Sequence, residues 1–104
     1  MGGCKKIYID NDPQLKIIVV DASNNKVSNA IVTLFLSEND WQKKTNSVIQ
    51  MNTDLNGSAL FQDLEELVYY FYVQKGALDN TLGVSYFATP LKKNEVRNLQ
   101  TIIN

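Results

Sequence analysis

Between residues 15 and 73, short apolar segments alternate with clusters of Asn, Asp, Gly and Ser. Short segments of this kind, separated by turn residues at roughly even spacing, are typical of a small β-sandwich. The pattern predicts strands over residues 15–21, 31–37, 47–53, 58–61 and 68–74, followed by strands over 85–89 and 99–103. The polar segment 38–46, which contains Trp41, predicts a short helical turn or a long connection. We therefore expect an all-β fold, a seven-stranded β-sandwich.

Alternation along each strand separates the side chains into two faces, because successive residues of a β-strand point to opposite sides of the sheet. One face is expected to form the core, and it comprises Ile17, Val19, Ala30, Val32, Leu34, Ala59, Phe61, Tyr69, Phe71 and Val73, with Leu64 as a cap. The opposite face is also apolar, and it comprises Ile18, Val20, Ile31, Phe35, Tyr70 and Tyr72. If these strands share a sheet, the second face is an exposed apolar and aromatic patch, which usually marks an interaction surface. The alternative is that residues 7–9 or the loop 75–83 cover it.

The 104 residues correspond to one domain preceded by a short tail. Residues 1–14 are predicted to form a flexible N-terminal tether, because Asp10, Asn11, Asp12 and Pro13 interrupt the apolar run at residues 7–9. Residues 15–104 are predicted to form the β-sandwich domain.

Composition excludes several classes of chemistry. The chain has no histidine and one cysteine, so it cannot form a Ser-His-Asp or Cys-His catalytic system, a zinc site of the His or multi-Cys kind, or an intramolecular disulfide. The 10 basic and 11 acidic residues are interspersed and give a net charge of -1, so no basic stripe is present to bind nucleic acid. We therefore expect neither an enzyme nor a nucleic-acid-binding protein, and no cofactor.

The segment Asp54-Leu55-Asn56-Gly57 has two interpretations. It resembles the start of a calcium-binding loop, in which Ser58 and Glu65 would stand at the fifth and twelfth positions. The Asn-Gly pair instead favours a tight hairpin turn, with Gly57 in the left-handed conformation. Because residues 59–61 have the pattern of a strand, we expect the turn and no metal site.

The N-terminal sequence Met-Gly-Gly-Cys-Lys-Lys suggests a covalent modification. Small residues followed by cysteine resemble the end of a bacterial lipoprotein signal, in which the cysteine takes the lipid. Cys4 is therefore a candidate lipidation site, and acyl chains attached there would anchor the chain to a membrane. The alternative is an exposed cysteine without a function in a flexible tail.

Four sequence signatures resemble the prealbumin-like, or carboxypeptidase-regulatory-like, β-sandwich family. This family includes the collagen-adhesin B-type repeats and many small envelope lipoproteins of Bacteroidetes-type bacteria. In chain order the signatures are V-V-D, V-S-N-A-I-V-T-L, T-D-L-N-G-S-A-L-F-Q-D-L and Y-x-F-x-V, and together they span more than half of the chain. The resemblance implies a transthyretin- or immunoglobulin-like arrangement of the strands.

The sequence therefore predicts a non-enzymatic lipoprotein of the bacterial cell envelope, at the outer membrane and periplasmic or surface-exposed, that acts as a binding, adhesion or scaffold module. Its partner would be a protein or glycan of the envelope or surface, and Cys4 would supply its only contact with the membrane. One alternative is a small-ligand or carbohydrate binder, and another is a structural spacer. The candidate interaction surface comprises Phe35, Trp41, Tyr70, Tyr72 and Tyr86. The oligomeric state is left open.

Overall fold

A computed structural model describes residues 11–104 of the chain. These residues form two β-sheets and one short helix, joined by loops. In chain order the elements are β1 (Gln14–Val20), β2 (Ile31–Phe35), α1 (Glu38–Lys43), β3 (Ile49–Asn52), β4 (Ser58–Phe61), β5 (Tyr70–Lys75), β6 (Leu78–Asp79) and β7 (Val96–Ile102). One sheet has three strands in the order β4-β1-β7, and the other has four in the order β3-β2-β5-β6. β1 and β7 run parallel, whereas the other neighbouring strands run antiparallel. The predicted all-β architecture of seven strands is confirmed for this part of the chain.

The inner faces of the two sheets share one hydrophobic core, so the sheets pack as a sandwich. Every residue predicted to face the core is buried: Ile17, Val19, Ala30, Val32, Leu34, Ala59, Phe61, Leu64, Tyr69, Phe71 and Val73. The contrast along β5 shows the alternation directly, because Phe71 is fully buried while its neighbours Tyr70 and Tyr72 are half-buried. Burying one such aromatic side chain stabilises the fold by about 1.5–3 kcal/mol relative to leaving it exposed.

Two loops share one hydrogen-bond pattern, the first beginning at Asp21 and the second at Asp54. In each loop the aspartate Oδ1 accepts hydrogen bonds from the backbone N–H groups two and four residues further on, at 2.9 and 3.0 Å. The fourth residue of each loop has left-handed backbone angles, with φ of 66° at Asn24 and 72° at Gly57. Asparagine and glycine adopt this conformation at low cost, so the local sequence specifies both turns.

The turn at residues 54–57 forms, but it does not close the predicted hairpin. β3 belongs to the four-stranded sheet and β4 to the three-stranded sheet, so the turn carries the chain from one layer to the other. Gly57 is needed there for space as well, because a Cβ at this position would lie 2.9 Å from the carbonyl oxygen of Val19. The hairpin is thus corrected to a crossover, which packs closely against β1.

Tyr69 fixes the next crossover, from β4 into β5. Its hydroxyl oxygen accepts a hydrogen bond from the backbone N–H of Glu65 at 3.0 Å. Asp63, which lies earlier in the same turn, has a left-handed φ of 57°. A buried tyrosine bonded to the backbone just upstream is a recurrent feature of β-sandwiches at such corners. The turn therefore positions the start of β5.

The folded part of the chain begins earlier than predicted. β1 starts at Gln14, Pro13 is buried, and the backbone N–H of Asn94 donates to the carbonyl oxygen of Asn11 at 2.9 Å. The predicted tether, residues 1–14, thus overlaps the fold in its last four residues. Cys4 and the apolar run at residues 7–9 lie outside the described residues. Among residues 11–104, no helix has the length and apolarity needed to cross a bilayer.

Candidate functional site

The outer face of the four-stranded sheet carries most of the predicted interaction surface. The strand register places Tyr70 of β5 opposite Phe35 of β2, and Tyr72 opposite Thr33. Because these positions alternate with core positions, their side chains leave the sheet on the side away from the core. Ile31 shares this face, since it lies two residues before Thr33 on β2.

The predicted outward patch is not a continuous exposed surface. Ile18 and Val20 belong to β1 in the other sheet, and Val20 is only 1% exposed. On the four-stranded sheet, α1 packs against β2 and β5, and Phe35 is only 2% exposed. Of the two predicted covers, residues 7–9 lie outside the described part, and the loop 75–83 runs along the sheet edge through β6. The element that packs on this face is therefore α1.

Helix α1 is short, and its own sequence caps both ends. The Ser37 hydroxyl accepts a hydrogen bond from the backbone N–H of Asp40 at 3.1 Å, and Lys44 ends the helix with a left-handed φ of 55°. Caps of this kind satisfy backbone groups that a short helix leaves unpaired. The indole Nε1 of Trp41 then donates to the carbonyl oxygen of Phe71 at 3.0 Å. The predicted helical turn is confirmed, and it places an indole ring on β5.

Trp41, Tyr70 and Tyr86 line a concave site of about 280 Å³, which we call the aromatic cleft. The ring centroids of Tyr70 and Tyr86 are 5.6 Å apart, and the ring planes are tilted by 31°. Glu38 and Ser85 complete the lining. Since the N–H of the indole is bonded to the sheet, Trp41 presents ring surface to the cleft. Aromatic surface with a few polar groups at its margin is the usual composition of a small-ligand site.

Asn80 supports the aromatic cleft, although the sequence pattern did not single it out. Its fully buried amide accepts a hydrogen bond from the N–H of Val73 at 2.9 Å and donates to the carbonyl oxygens of Phe71 and Val84, both at 3.1 Å. β6 ends at Asp79, so this side-chain amide takes the place of the next peptide group beside β5. A polar residue in a polar loop gives no sequence signal for such a role.

Beyond Asn80 the chain returns to β5 at one more point. The N–H of Phe71 donates to the carbonyl oxygen of Ser85 at 2.7 Å, and Tyr86 forms a single β-bridge with Tyr70. The strand predicted over residues 85–89 is therefore wrong. The Asn80 amide and one β-bridge bond the backbone groups at this edge of β5, where a full strand would otherwise pair. They hold the Tyr86 ring beside Tyr70.

A second concave site of about 340 Å³ lies on the same face, and we call it the polar depression. Its lining is formed by Tyr72, Phe35, Thr33, Ser47, Gln50, Gln74 and Lys44. The Nζ of Lys44 lies 4.4 Å from the ring centroids of both Trp41 and Tyr72, which is a cation–π arrangement. Lys44 is therefore in contact with a wall of the aromatic cleft as well.

Three titratable groups are coupled at the polar depression. Partial burial lowers the pKa of Lys44, and the nearby carboxylate of Asp79 opposes that shift. Partial burial also raises the pKa of Tyr72, whose hydroxyl donates to Asp79 Oδ2 at 3.4 Å. Hydrogen bonding from Thr81 lowers the pKa of Asp79. The Asp79 carboxyl group therefore interacts with both the Tyr72 hydroxyl and the Lys44 amine.

The five predicted surface residues thus lie on one face, divided between the two concave sites. Trp41, Tyr70 and Tyr86 line the aromatic cleft, whereas Phe35 and Tyr72 line the polar depression. Glu38 and Lys44 were not predicted, because charged residues at the ends of a helix are usually solvated. Within residues 11–104, no group of three or more His, Cys, Asp or Glu side chains is placed to hold a metal ion.

Comparison with known proteins supports the fold alone. No protein-family model and no curated protein matches the chain. Among solved structures, part of the Bacillus anthracis TIE protein has a similar fold, with a TM-score of 0.56 and 23% sequence identity. The similarity covers 86% of this chain and 17% of that chain. This chain therefore resembles one section of a much longer bacterial protein.

Proposed function

We propose that the chain is a non-enzymatic binding module of a bacterial cell envelope, which holds its ligand on the outer face of the four-stranded sheet. The observation that carries this proposal is the cluster of Trp41, Tyr70 and Tyr86 in the aromatic cleft. These rings lie outside the core, and a polar outer face would serve a sandwich equally well. Aromatic residues fixed at a partly exposed surface are typical of binding sites.

The shape of the site favours a second, narrower function, the binding of a small ligand or carbohydrate. The fully buried centre of a protein–protein interface has closely complementary surfaces over a broad area. The aromatic cleft is instead concave, and its volume of about 280 Å³ suits one ring of a ligand. Pockets for drug-sized molecules start at roughly 300 Å³, so a cleft slightly below that size fits a single ring better than a whole large ligand.

We also propose that the strands of the sandwich follow the prealbumin-like arrangement. In the immunoglobulin arrangement the first two strands lie in the same sheet. Here β1 lies in the three-stranded sheet and β2 in the four-stranded sheet. This difference, together with the four sequence signatures, supports the prealbumin-like family over the immunoglobulin type.

The envelope location rests on Cys4 and its Gly-Gly-Cys context. With a lipoprotein signal peptide placed before Cys4, the precursor should fractionate with membranes. Cys4→Ser should release it, because the attached acyl chains supply the membrane affinity. A Cys4→Ser precursor that stays fully membrane-bound would remove the lipoprotein assignment without touching the binding site.

The binding function can be followed through the emission of Trp41, since it is the only tryptophan in the chain. Titration with cellobiose and N,N′-diacetylchitobiose, and with solubilised envelope proteins, should give a saturable change for at least one of them. Tyr86→Ala should weaken that binding about tenfold or more, as truncation of a central aromatic contact does. Leu55→Ala, at a residue 91% exposed in the β3–β4 turn, is the matched control and should have no effect. Equal affinities in the wild type and Tyr86→Ala would contradict the assignment of the site.

A further inference from the structure

Two concave sites share the outer face, and one pair of side chains lies where they meet. Trp41 lines the aromatic cleft and Lys44 lines the polar depression, with the Lys44 Nζ 4.4 Å from the centroid of the indole ring. Tyr70 and Tyr72 point to the same side of β5 and place one ring in each site. Two residues along a strand span about 7 Å. An elongated ligand can therefore occupy both sites at once.

The chemistry of the two sites differs. The aromatic cleft offers the rings of Trp41, Tyr70 and Tyr86. In the polar depression, no hydrogen bond within residues 11–104 engages the side chains of Thr33 or Gln50. Their hydroxyl and amide groups are therefore open to a ligand that carries both donors and acceptors.

The charges on this face favour neither an acidic nor a basic ligand, because Glu38 lines the aromatic cleft and Lys44 lines the polar depression. The Glu38 carboxylate lies in the lining of the aromatic cleft, and the Asp79 carboxylate accepts the hydroxyl of Tyr72 beside the polar depression. The Lys44 side chain is exposed in the polar depression, where its Nζ donates to the carbonyl oxygen of Trp41 and lies over two rings. An uncharged ligand that spans both sites avoids the repulsion that an anion would meet at Glu38 and a cation at Lys44.

We propose that the outer face binds a linear, uncharged oligosaccharide, with one sugar ring stacked in the aromatic cleft and a following ring in the polar depression. A sugar ring presents C–H groups on its face and hydroxyl groups at its edge. The faces match Tyr70 and Tyr86, and the hydroxyl groups match Thr33 and Gln50. This inference rests on the proposed binding function and adds the class of ligand and the need for at least two sugar units.

A chain-length series tests the use of two sites. Trp41 emission is titrated with N-acetylglucosamine and its di-, tri- and tetramer, and with glucose and the cello-oligosaccharides of the same lengths. We expect affinity to rise about tenfold or more from the monomer to the trimer in at least one series, because the second site adds its contacts to the first. Equal affinity at all lengths would overturn the proposal. So would tighter binding of oligogalacturonate, an anionic oligosaccharide, at matched length.

Two substitutions separate this inference from the proposed function. Gln50→Ala should weaken trimer binding about fivefold, the effect of one hydrogen bond, and leave monomer binding unchanged. Gln100→Ala, at an exposed glutamine of β7 in the other sheet, is its control and should change neither. If Gln50→Ala weakened the binding of neither the trimer nor the monomer, or weakened both equally, the two-site arrangement would be overturned. Tyr86-dependent binding of an envelope protein, with no sugar bound at any length, would overturn the oligosaccharide but leave the binding module standing.

Discussion

Replacing Asn80 by alanine removes the side chain that completes the edge of β5. Its amide makes three hydrogen bonds in a fully buried position. In Asn80→Ala the N–H of Val73 loses its acceptor, whereas the carbonyl oxygens of Phe71 and Val84 each keep a second donor. An unsatisfied buried amide costs about 1–3 kcal/mol, and each lost hydrogen bond costs about 0.5–1.5 kcal/mol. We therefore expect the free energy of unfolding to fall by about 3 kcal/mol.

Urea unfolding followed by Trp41 emission and by far-ultraviolet circular dichroism measures this loss. The denaturant slope should stay unchanged, because the surface exposed on unfolding is nearly the same. Asn98→Ala, at an exposed asparagine of β7, is the control and should stay within about 0.5 kcal/mol of the wild type. A loss in Asn80→Ala no larger than in this control would refute the role of the amide at the strand edge.

Asn80→Asp keeps the size of the side chain and changes only its donors. The new carboxyl group can still accept from Val73, but it faces the carbonyl oxygens of Phe71 and Val84 in a buried place. This surrounding disfavours the charged form and raises the pKa of the carboxyl group above that of the unfolded chain. The folded variant then holds more protons than the unfolded one, so its stability relative to the wild type should fall as pH rises from acid to neutral. A stability difference that does not change with pH would contradict the geometry.

Phe71→Ala should lower the free energy of unfolding by about 3–5 kcal/mol, because it empties a fully buried aromatic position, whereas Tyr70→Ala on the half-buried outer side should cost much less. Equal, small losses in urea would contradict the assignment of faces. Gly57→Ala should lower the melting temperature more than Gly76→Ala, since both residues have positive φ but only at Gly57 would the new Cβ meet backbone, at 2.9 Å. Equal melting temperatures would argue against that close approach. As pH falls below 3.8, the ordinary pKa of aspartate, the free energy of unfolding should decrease. The pKa of Asp79 is lowered in the fold, so the unfolded chain takes up its proton first. Asp79→Asn should reduce this acid dependence, and an unchanged pH profile would contradict it.

The faces of the strands could be predicted from the sequence because the alternation of side chains is local. Phe71 and Val73 had to lie opposite Tyr72 on any pleated strand, whatever its partners. The pairing of strands depends on residues far apart in the chain. The alternation predicts Val20 and Phe35 on one outward face, but β1 and β2 belong to different sheets and Phe35 is buried beside α1.

The aromatic members of the site were predictable, whereas the side chains that position them were not. Trp41 and Tyr86 stand out as large rings in polar segments, where a core position is not expected. Asn80 has the same neighbours as an asparagine in a solvated turn, and its role exists only because β6 stops after two residues. Glu38 and Lys44 have the pattern of ordinary helix-end charges until α1 docks on the sheet.

The carbonyl oxygen of Phe71 accepts hydrogen bonds from residues 30 positions before it and nine positions after it, Trp41 and Asn80. Its side chain lies in the core, so one residue joins the core to the aromatic cleft. A ligand that needs the assembled cleft binds the folded chain alone, and at 100 times its dissociation constant it adds about 2.7 kcal/mol to stability. A thermal-shift screen of a glycan library would then detect such a ligand even when its identity is not known beforehand. By the same coupling, a substitution that destabilises the core weakens the apparent affinity for ligand only in proportion to the folded fraction that it removes.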